Sequence, residues 1–370
     1  MKKIMNKCAA LALLFLALGF TACEKDKLIE GEPVLTLSKT LVLADGKDEV
    51  VMKVTVGGVD VTKNATFYKD ELSYDGNTFS TNKAGDYVFY AVYNNLNTKA
   101  FAVKAADPRL YVALPEDSKA DQFTDFGHKV LLTQGTGTWC GYCPYMIRAI
   151  ELFRAEQSNA DKVVVVATHS GDNLSNKASE AVVKACRITG FPSSVFNLNY
   201  EALLENNESS LNAVKINSMA NMELMEDARV GISSVVRSAG NKVSVRSAIK
   251  VGETGAYRIN AWLVEDGVKD VQQSYLPDFP TAIIDHNFVL RDASCITPIF
   301  GGMLGGKELC DAGETIEFYH EFDGKAAGVS NVANCKVVVL VSAMLEGSVR
   351  YAVNNVVECP VGGVVPFAYN

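Results

Sequence analysis

The chain has 370 residues, with 35 lysine and arginine residues against 43 aspartate and glutamate residues, and its formal net charge is −8 at pH 7. This negative charge disfavours nucleic acid and anionic lipid surfaces as partners. At about 150 residues per domain, the length predicts two or three domains, each large enough to have its own core.

The first residues have the pattern of a secretion signal. Three lysines precede an uncharged run at 9–20, which is too short to span a bilayer because a spanning helix needs about 20 residues. The sequence Thr-Ala-Cys23 follows, and small residues before a cysteine resemble the lipobox of bacterial lipoproteins. The resemblance implies removal of residues 1–22 and lipidation of Cys23. The alternative is an ordinary cleaved signal with an incidental cysteine.

Residues 23–32 are predicted to form a tether. The tetrad Glu-Lys-Asp-Lys at 24–27 directly follows Cys23. It resembles the surface-export signal of some Gram-negative lipoproteins. The resemblance implies an outer-membrane protein, lipid-anchored at the cell surface, with the periplasmic face as the alternative. A plain solvated tether is the other interpretation of the tetrad.

Residues 33–105 alternate apolar and polar side chains in the manner of half-buried strands, as in "EVVMKVTV" and "DYVFYAVY". Turn signals such as Asp-Gly-Asn at 75–77 separate these runs, so a small antiparallel β-sandwich is predicted. The segment resembles the immunoglobulin-like modules of bacterial cell-surface proteins, which implies a spacer. Residues 106–122 contain two prolines and several charges and are predicted to be a linker.

Residues 123–227 change to an α/β pattern. Buried strands are predicted at 129–134 and 162–170, with helices after Pro144, at 176–188 and at 209–226. The strand at 129–134 is followed by "TWCGYCP", and "GFPS" stands about 50 residues later. Strand, Cys-x-x-Cys helix, strand, helix, proline, strand and helix is the order of the thioredoxin fold. Through these two loops the segment resembles the thioredoxin family.

The resemblance implies a redox site. Cys140 would be the nucleophile at the first turn of a helix, where the helix dipole favours a thiolate, and Cys143 would resolve the mixed disulfide. Trp139 would cover the flank, and Pro192 would be a cis proline facing the cysteines. A structural disulfide is the alternative. Zinc needs four ligands, and no second Cys-x-x-Cys or closely spaced histidine pair is present, so neither a metal nor a cofactor is expected.

Gln134 departs from the family pattern. Reducing thioredoxins carry a buried acid six residues before the first cysteine, and an amide cannot accept the proton of the resolving thiol. Efficient reductase turnover is therefore not expected. His169, at the end of the second buried strand, is either a substitute base or a structural residue.

Residues 228–370 return to alternation and are predicted to form a second antiparallel β-sandwich. The long insert at 270–312 is predicted to be a mobile loop. Two disulfides, Cys295 with Cys310 and Cys335 with Cys359, would suit an exported protein, although four cysteines allow three pairings. Cys186 is expected to be a core residue.

The whole order resembles a family of Gram-negative outer-membrane lipoproteins with a thioredoxin-like core and a β-sandwich C-terminus, some described as surface adhesins or receptors. Two functions follow. The first is a membrane-anchored thiol-disulfide oxidoreductase or isomerase that acts on disulfides of exported proteins. The second is an adhesin or receptor for an unknown surface ligand, with the thioredoxin-like domain as scaffold.

Overall fold

The computed structural model describes residues 29–202 and 207–370. The predicted signal at 1–22, the lipidation site Cys23 and the tetrad after it lie outside the described residues. The chain divides into two compact units after Ala106. Among the helices of the described ranges, none has the length and apolar character needed to cross a membrane.

The first unit consists of strands and one short 3-10 helix at Thr62–Asn64. The strands are β1 (Pro33–Leu37), β2 (Leu41–Leu43), β3 (Val50–Val56), β4 (Val59–Asp60), β5 (Thr66–Lys69), β6 (Leu72–Tyr74), β7 (Thr78–Phe79), β8 (Gly85–Tyr93), β9 (Leu96–Asn97) and β10 (Phe101–Ala106). One sheet has the order β1-β3-β4, with β7 on β3, and the other has the order β2-β10-β8-β5-β6, with β9 on β8. Alternate residues of β3, such as Met52 and Val54, point into one core with Phe67 and Phe89. The predicted β-rich segment is confirmed.

The second unit contains three helices and the remaining strands of the described chain. The helices are α1 (Cys143–Glu156), α2 (Lys177–Ala185) and α3 (Ser209–Glu223). The strands are β11 (Val130–Thr136), β12 (Val163–His169), β13 (Ser193–Phe196), β14 (Tyr200–Glu201), β15 (Val230–Ala239), β16 (Lys242–Val251), β17 (Tyr257–Glu265), β18 (Val268–Gln272), β19 (Ala282–His286), β20 (Val289–Ala293), β21 (Gly302–Met303), β22 (Thr315–Asp323), β23 (Cys335–Met344), β24 (Tyr351–Pro360) and β25 (Val364–Val365). Short 3-10 helices lie at Leu304–Gly306 and Val332–Asn334.

One nine-stranded sheet crosses the second unit in the order β14-β13-β11-β12-β20-β17-β23-β24, with β21 on β17. The predicted domain boundary at 227/228 therefore falls between strands of the same sheet. The join is the parallel pairing of β12 with β20, where the Ala167 N–H donates to the Phe288 carbonyl at 2.7 Å. The insert at 270–312, predicted to be a mobile loop, instead supplies β19, β20 and β21. That prediction was wrong because β20 is short and its partners are distant in sequence.

The helices cover both faces of this sheet around β11 and β12. On one face α1 and α3 place Phe153 and Ile216 against Leu132 of β11. On the other face α2 packs into a core that includes Leu131 and the fully buried Trp262 of β17. A second sheet, in the order β22-β16-β15-β25, packs its apolar face onto β17, β23 and β24 through a common core. These two sheets form the predicted C-terminal sandwich.

Most of the predicted linker at 106–122 belongs to the second unit, which begins at Asp107, and one buried lysine holds its last residues. The Lys250 side chain is 3% exposed. Its ammonium donates to the carbonyl oxygens of Lys119 at 2.9 Å and Gln122 at 3.1 Å, and it pairs with the Asp117 carboxylate. These contacts fix the path of the segment, because moving it away would leave the buried ammonium without its partners.

Because β20 joins the two halves of the sheet, a cavity in it should destabilise the whole second unit. Leu290 is 0% exposed, so Leu290→Ala is expected to lower the free energy of unfolding by about 2–5 kcal/mol. Ile283 lies in β19, the strand that precedes β20 in the chain, and is 67% exposed. Ile283→Ala should therefore change the free energy of unfolding by less than about 0.5 kcal/mol. Urea titration of both variants checks the difference, and equal effects would contradict this packing.

Candidate active site

The two cysteines of the Cys-x-x-Cys motif form a disulfide at the start of a helix. Cys140 and Cys143 are bonded, with their Cα atoms 5.4 Å apart. Cys143 is the first residue of α1, and Pro144 follows it, at a position where the missing N–H costs no helical hydrogen bond. The Cys140 N–H donates to the Gly137 carbonyl at 3.0 Å, which holds the turn before the helix. This end of a helix stabilises a thiolate through its free N–H groups and dipole.

Trp139 and the Pro192 loop lie together beside the disulfide turn. The Trp139 ring is 53% exposed, and its Nε1 donates to the Ser170 carbonyl at 3.0 Å. Its edge contacts Phe191, with ring centroids 5.7 Å apart. The Phe191–Pro192 peptide bond is cis, and β13 begins directly after it and pairs with β11. All four predicted site residues are therefore in one region.

A segment that the sequence did not single out covers the cysteine turn. We call Gln272–Tyr275 the covering segment. The Gln272 side-chain amide donates to the Cys140 carbonyl at 3.0 Å, and the Tyr275 N–H donates to the Gly141 carbonyl at 2.7 Å. The Tyr275 ring packs edge-on against Tyr142, at 5.1 Å between centroids. Cys140 is consequently only 4% exposed.

Gly141 is the residue of the motif that lies closest to this contact. A Cβ atom at this position would lie 2.5 Å from the Tyr275 ring, so a larger residue would force this exposed ring to move. A glycine between the two cysteines is common to many redox sites, however, and gives no indication of which distant segment lies on it.

The buried polar groups behind the motif differ from those of a reducing thioredoxin. Gln134 is 4% exposed, and its Nε2 has no hydrogen-bond partner. Burial would raise the pKa of Asp172, but hydrogen bonds from His169 and the Thr138 N–H outweigh it and lower the pKa of this carboxyl. Asp172 is therefore a carboxylate, which only accepts, and His169 Nδ1 donates to it at 2.7 Å.

A cavity of about 520 Å³ lies between α1, the ends of β11 and β12, and residues 279–288. Gln134, His169 and His286 line its polar part, and Ile150 lines its apolar part. Cys143 precedes Ile150 by seven residues on α1, which places both on one face of the helix, since seven residues are about two turns. The cavity therefore lies below the second cysteine. In the described ranges, no three His, Cys, Asp or Glu side chains are placed to hold a metal ion.

The predicted disulfides of the C-terminal sandwich are not formed. The free thiols of the described chain are Cys186, Cys295, Cys310, Cys335 and Cys359. In the first predicted pair, Cys295 points to the Pro298 carbonyl and Cys310 to the Leu304 carbonyl. In the second, Cys335 points to the Asn331 carbonyl and Cys359 to the Ser234 carbonyl. Burial raises the pKa of Cys335 to about 12 and that of Cys359 to about 11, which makes them unreactive. Spacing along the chain gave no information on side-chain direction.

Comparison with known proteins identifies a matching family and a solved structure of similar fold. The sequence profile of the family described as outer membrane protein Omp28 matches residues 176–363, slightly more than half of the chain. The match begins after both site cysteines. No curated protein matches the chain at a significant level.

Among solved structures, HBP35 of Porphyromonas gingivalis is similar at 18% identity and a TM-score of 0.50, covering 66% of this chain and 78% of that chain. At this identity the likeness concerns the fold alone. The sporulation control protein Spo0M of Bacillus subtilis matches at 12% identity and a TM-score of 0.23, covering 36% of this chain and 48% of that chain, which is too low to support an argument.

The titration of His286 should be visible in the stability of the protein. Burial, aided by the neighbouring His169, lowers the pKa of His286 from 6.5 to about 4. Between pH 6.5 and about pH 4, His286 of the unfolded chain binds a proton that His286 of the folded protein does not. The free energy of unfolding should therefore fall as the pH decreases through this range. His286→Gln should remove this part of the pH dependence in urea titrations. Equal slopes for both proteins would show that His286 titrates normally.

Proposed function

Because the chain belongs to the outer membrane protein Omp28 family, we propose that it acts at the outer membrane as a lipid-anchored thiol-disulfide oxidoreductase for exported proteins. The observation that carries the proposal is the Cys140–Cys143 disulfide at the first turn of α1, beside the cis Pro192. The element order around it, with α1 and α2 on opposite faces of β11 and β12, supports a thioredoxin-like centre.

The chemistry is a two-electron exchange between a dithiol of the partner protein and the Cys140–Cys143 disulfide. A thiolate of the partner protein attacks the Cys140 sulfur, the Cys140–Cys143 bond breaks, and Cys143 leaves as a thiolate that takes up a proton. A second partner thiolate then attacks the partner's sulfur in the mixed disulfide and displaces Cys140. The partner leaves with a new disulfide and the site is reduced, so atoms and electrons balance.

The residues behind the site favour this oxidising direction. In the reverse direction Cys143 must lose its proton to attack the mixed disulfide, and Gln134 cannot accept it. The helix terminus stabilises the Cys140 thiolate, which stabilises the reduced pair and makes the disulfide a better oxidant. His169 also lines the cavity, but its Nδ1 is paired with the Asp172 carboxylate at 2.7 Å. We therefore expect slow reduction of disulfides and faster oxidation of dithiols.

The anchoring and the partners are part of the proposal. Lipidation of Cys23 would hold the described units at the membrane, and the acid-containing tetrad after it would direct them to the cell surface, with the periplasmic face as the alternative. The partners would be exported proteins with disulfides. The negative net charge disfavours nucleic acid among them.

The second candidate is a surface adhesin or receptor in which the redox centre is scaffold. The covering segment favours this second candidate, since Cys140 is only 4% exposed beneath Gln272 and Tyr275. A partner thiolate would reach the Cys140 sulfur only after this segment moves. The two candidates therefore differ in whether the covering segment opens.

Substitution of each cysteine separates the two candidates. With an active site, Cys140→Ser should abolish oxidation of a reduced, unfolded ribonuclease. Cys143→Ser should accumulate mixed disulfides with exported proteins in whole cells, because Cys140 can still attack a partner disulfide but no Cys143 thiol is present to resolve the product. Cys295→Ser, which changes a free thiol away from the motif, should behave as wild type. If Cys143→Ser traps nothing and the wild type shows no exchange, the scaffold candidate is correct.

A further inference from the structure

We propose that the covering segment occupies the place of the partner protein, and that an unfolded exported polypeptide binds the cysteine turn by displacing it. The incoming chain takes over the main-chain hydrogen bonds that Gln273 and Tyr275 form with the turn, and an aromatic side chain of the partner lies where the Tyr275 ring lies. The inference rests on the proposed function, because it identifies the partner and the step that precedes disulfide exchange.

The covering segment contacts the turn through main-chain groups, which every polypeptide carries. The Gln273 N–H donates to the Thr138 carbonyl at 2.8 Å, and the Tyr275 N–H donates to the Gly141 carbonyl at 2.7 Å. The two acceptors stand on either side of Cys140 in the chain. The two donors are two residues apart, the spacing at which a strand directs its groups to the same side. An extended chain from another protein can form the same bonds, as when a strand adds to the edge of a sheet.

The partner has to be unfolded where it binds. Both of its N–H groups must be free, whereas the N–H groups of helices and of sheet interiors are already hydrogen-bonded. A reduced, unfolded exported protein meets this condition, and it is also the protein whose thiols remain to be oxidised. The contact therefore selects chains before they fold.

The exposed rings around the turn favour an aromatic residue in the incoming chain. The Tyr275 ring packs edge-on against Tyr142 at 5.1 Å between centroids, and Trp139 and Tyr142 are 53% and 47% exposed. Because Gly141 has no side chain, the Tyr275 ring reaches to within 2.5 Å of the place where a Cβ atom would lie. An aromatic side chain gains both a large contact area and an edge-to-face attraction to Tyr142.

The loop that carries the covering segment can move without unfolding its hairpin. Gln272 and Ala282 form the last residue pair of β18 and β19, so the loop at 273–281 is anchored by paired strands at both ends. Its ion pair with α1, between Arg148 and Asp278, is 3.9 Å long, and both side chains are largely exposed. Exposed ion pairs of this kind contribute little to stability, so this contact does not prevent the movement.

Two contacts of the covering segment favour its release. The Gln272 side-chain amide donates to the Cys140 carbonyl at 3.0 Å, but its Oε1 atom is buried and has no hydrogen-bond partner among the described residues. An unsatisfied buried acceptor destabilises the closed arrangement, and movement of this side chain into water removes the penalty. The Tyr145 hydroxyl donates to the Tyr275 carbonyl at 3.4 Å, which is long for a hydrogen bond between oxygen atoms.

The probe is a cysteine-free peptide with the chain's own sequence at 270–278, DVQQSYLPD, with both ends blocked. The protein is the whole chain with Cys23→Ala, which prevents lipidation, and its site disulfide is kept oxidised. Affinities are measured by NMR titration of the protein with the peptide. The intact covering segment competes with the peptide, so binding to this reference protein should be weak.

Variants of the protein at Tyr275 should open the surface. Tyr275→Pro removes both the ring and the N–H of the internal contact at a residue that is 68% exposed, so it should bind the peptide at least roughly 10-fold more tightly than the reference protein. Tyr275→Ala keeps the N–H and should bind roughly 3-fold more tightly, and it carries the comparison if Tyr275→Pro does not fold. Ile283→Ala, an exposed position in the same hairpin, should bind as the reference protein.

Variants of the peptide test the bonds that it takes over. Gln273→Pro in the peptide removes the N–H that would bind Thr138, and should weaken binding to the opened protein by roughly 3- to 10-fold. Ser274→Pro is the matched control and should bind as the parent peptide, because the Ser274 N–H donates to the Thr281 hydroxyl and not to the turn. Tyr275→Ala in the peptide should weaken binding by a similar factor, and Tyr275→Phe should not.

Three results would overturn the inference. They are absence of binding of the parent peptide to the opened protein at millimolar concentration, equal binding by the opened and the Ile283→Ala proteins, and equal binding of the two proline peptides. The peptide has no thiol and the site is oxidised, so none of these results depends on disulfide exchange. Normal peptide binding together with failure of the ribonuclease oxidation assay would count against the proposed function alone.

Discussion

The pairing of β20 with β12 determines where the β18–β19 hairpin lies on the candidate site. β20 enters the sheet in parallel, and its first residue, Val289, pairs with Ala167 near the carboxyl end of β12. The β18–β19 hairpin ends three residues earlier, at His286. The hairpin must therefore lie over the carboxyl ends of β11 and β12, which is also where the chain leaves β11 toward the cysteine turn.

Two features of the site follow from this position. The start of the loop between β18 and β19 lies on the cysteine turn, where Gln272 and Tyr275 bond to its carbonyl groups. The end of the same hairpin closes the cavity below α1 through Ile284 and His286. One element thus limits access to the disulfide from above and forms a wall of the cavity below it, so movement of the hairpin would affect both.

The local features of the site could be predicted from the sequence, and the long-range ones could not. Continuous apolar runs predicted β11 and β12, and "TWCGYCP" predicted a disulfide-bearing turn before α1, because each signal lies within a few residues. β20 gave no such signal, since Phe288, Val289 and Leu290 form an apolar run of only three residues between polar ones. The covering segment is polar and derives its position from β20. Disulfides were wrongly predicted for Cys335 and Cys359 because side-chain direction depends on strand register.

The central claim is that the covering segment controls access to a redox-competent disulfide. The most direct test is the rate constant for reduction of Cys140–Cys143 by dithiothreitol in wild type and in Tyr275→Ala, with Leu309→Ala, 58% exposed, as control. Loss of the Tyr275 ring from Gly141 and Tyr142 should raise the rate by roughly 2- to 10-fold, the effect of about 0.5–1.5 kcal/mol. Equal rates in the wild type and both variants would contradict the account, because the disulfide would then be accessible without movement of the segment.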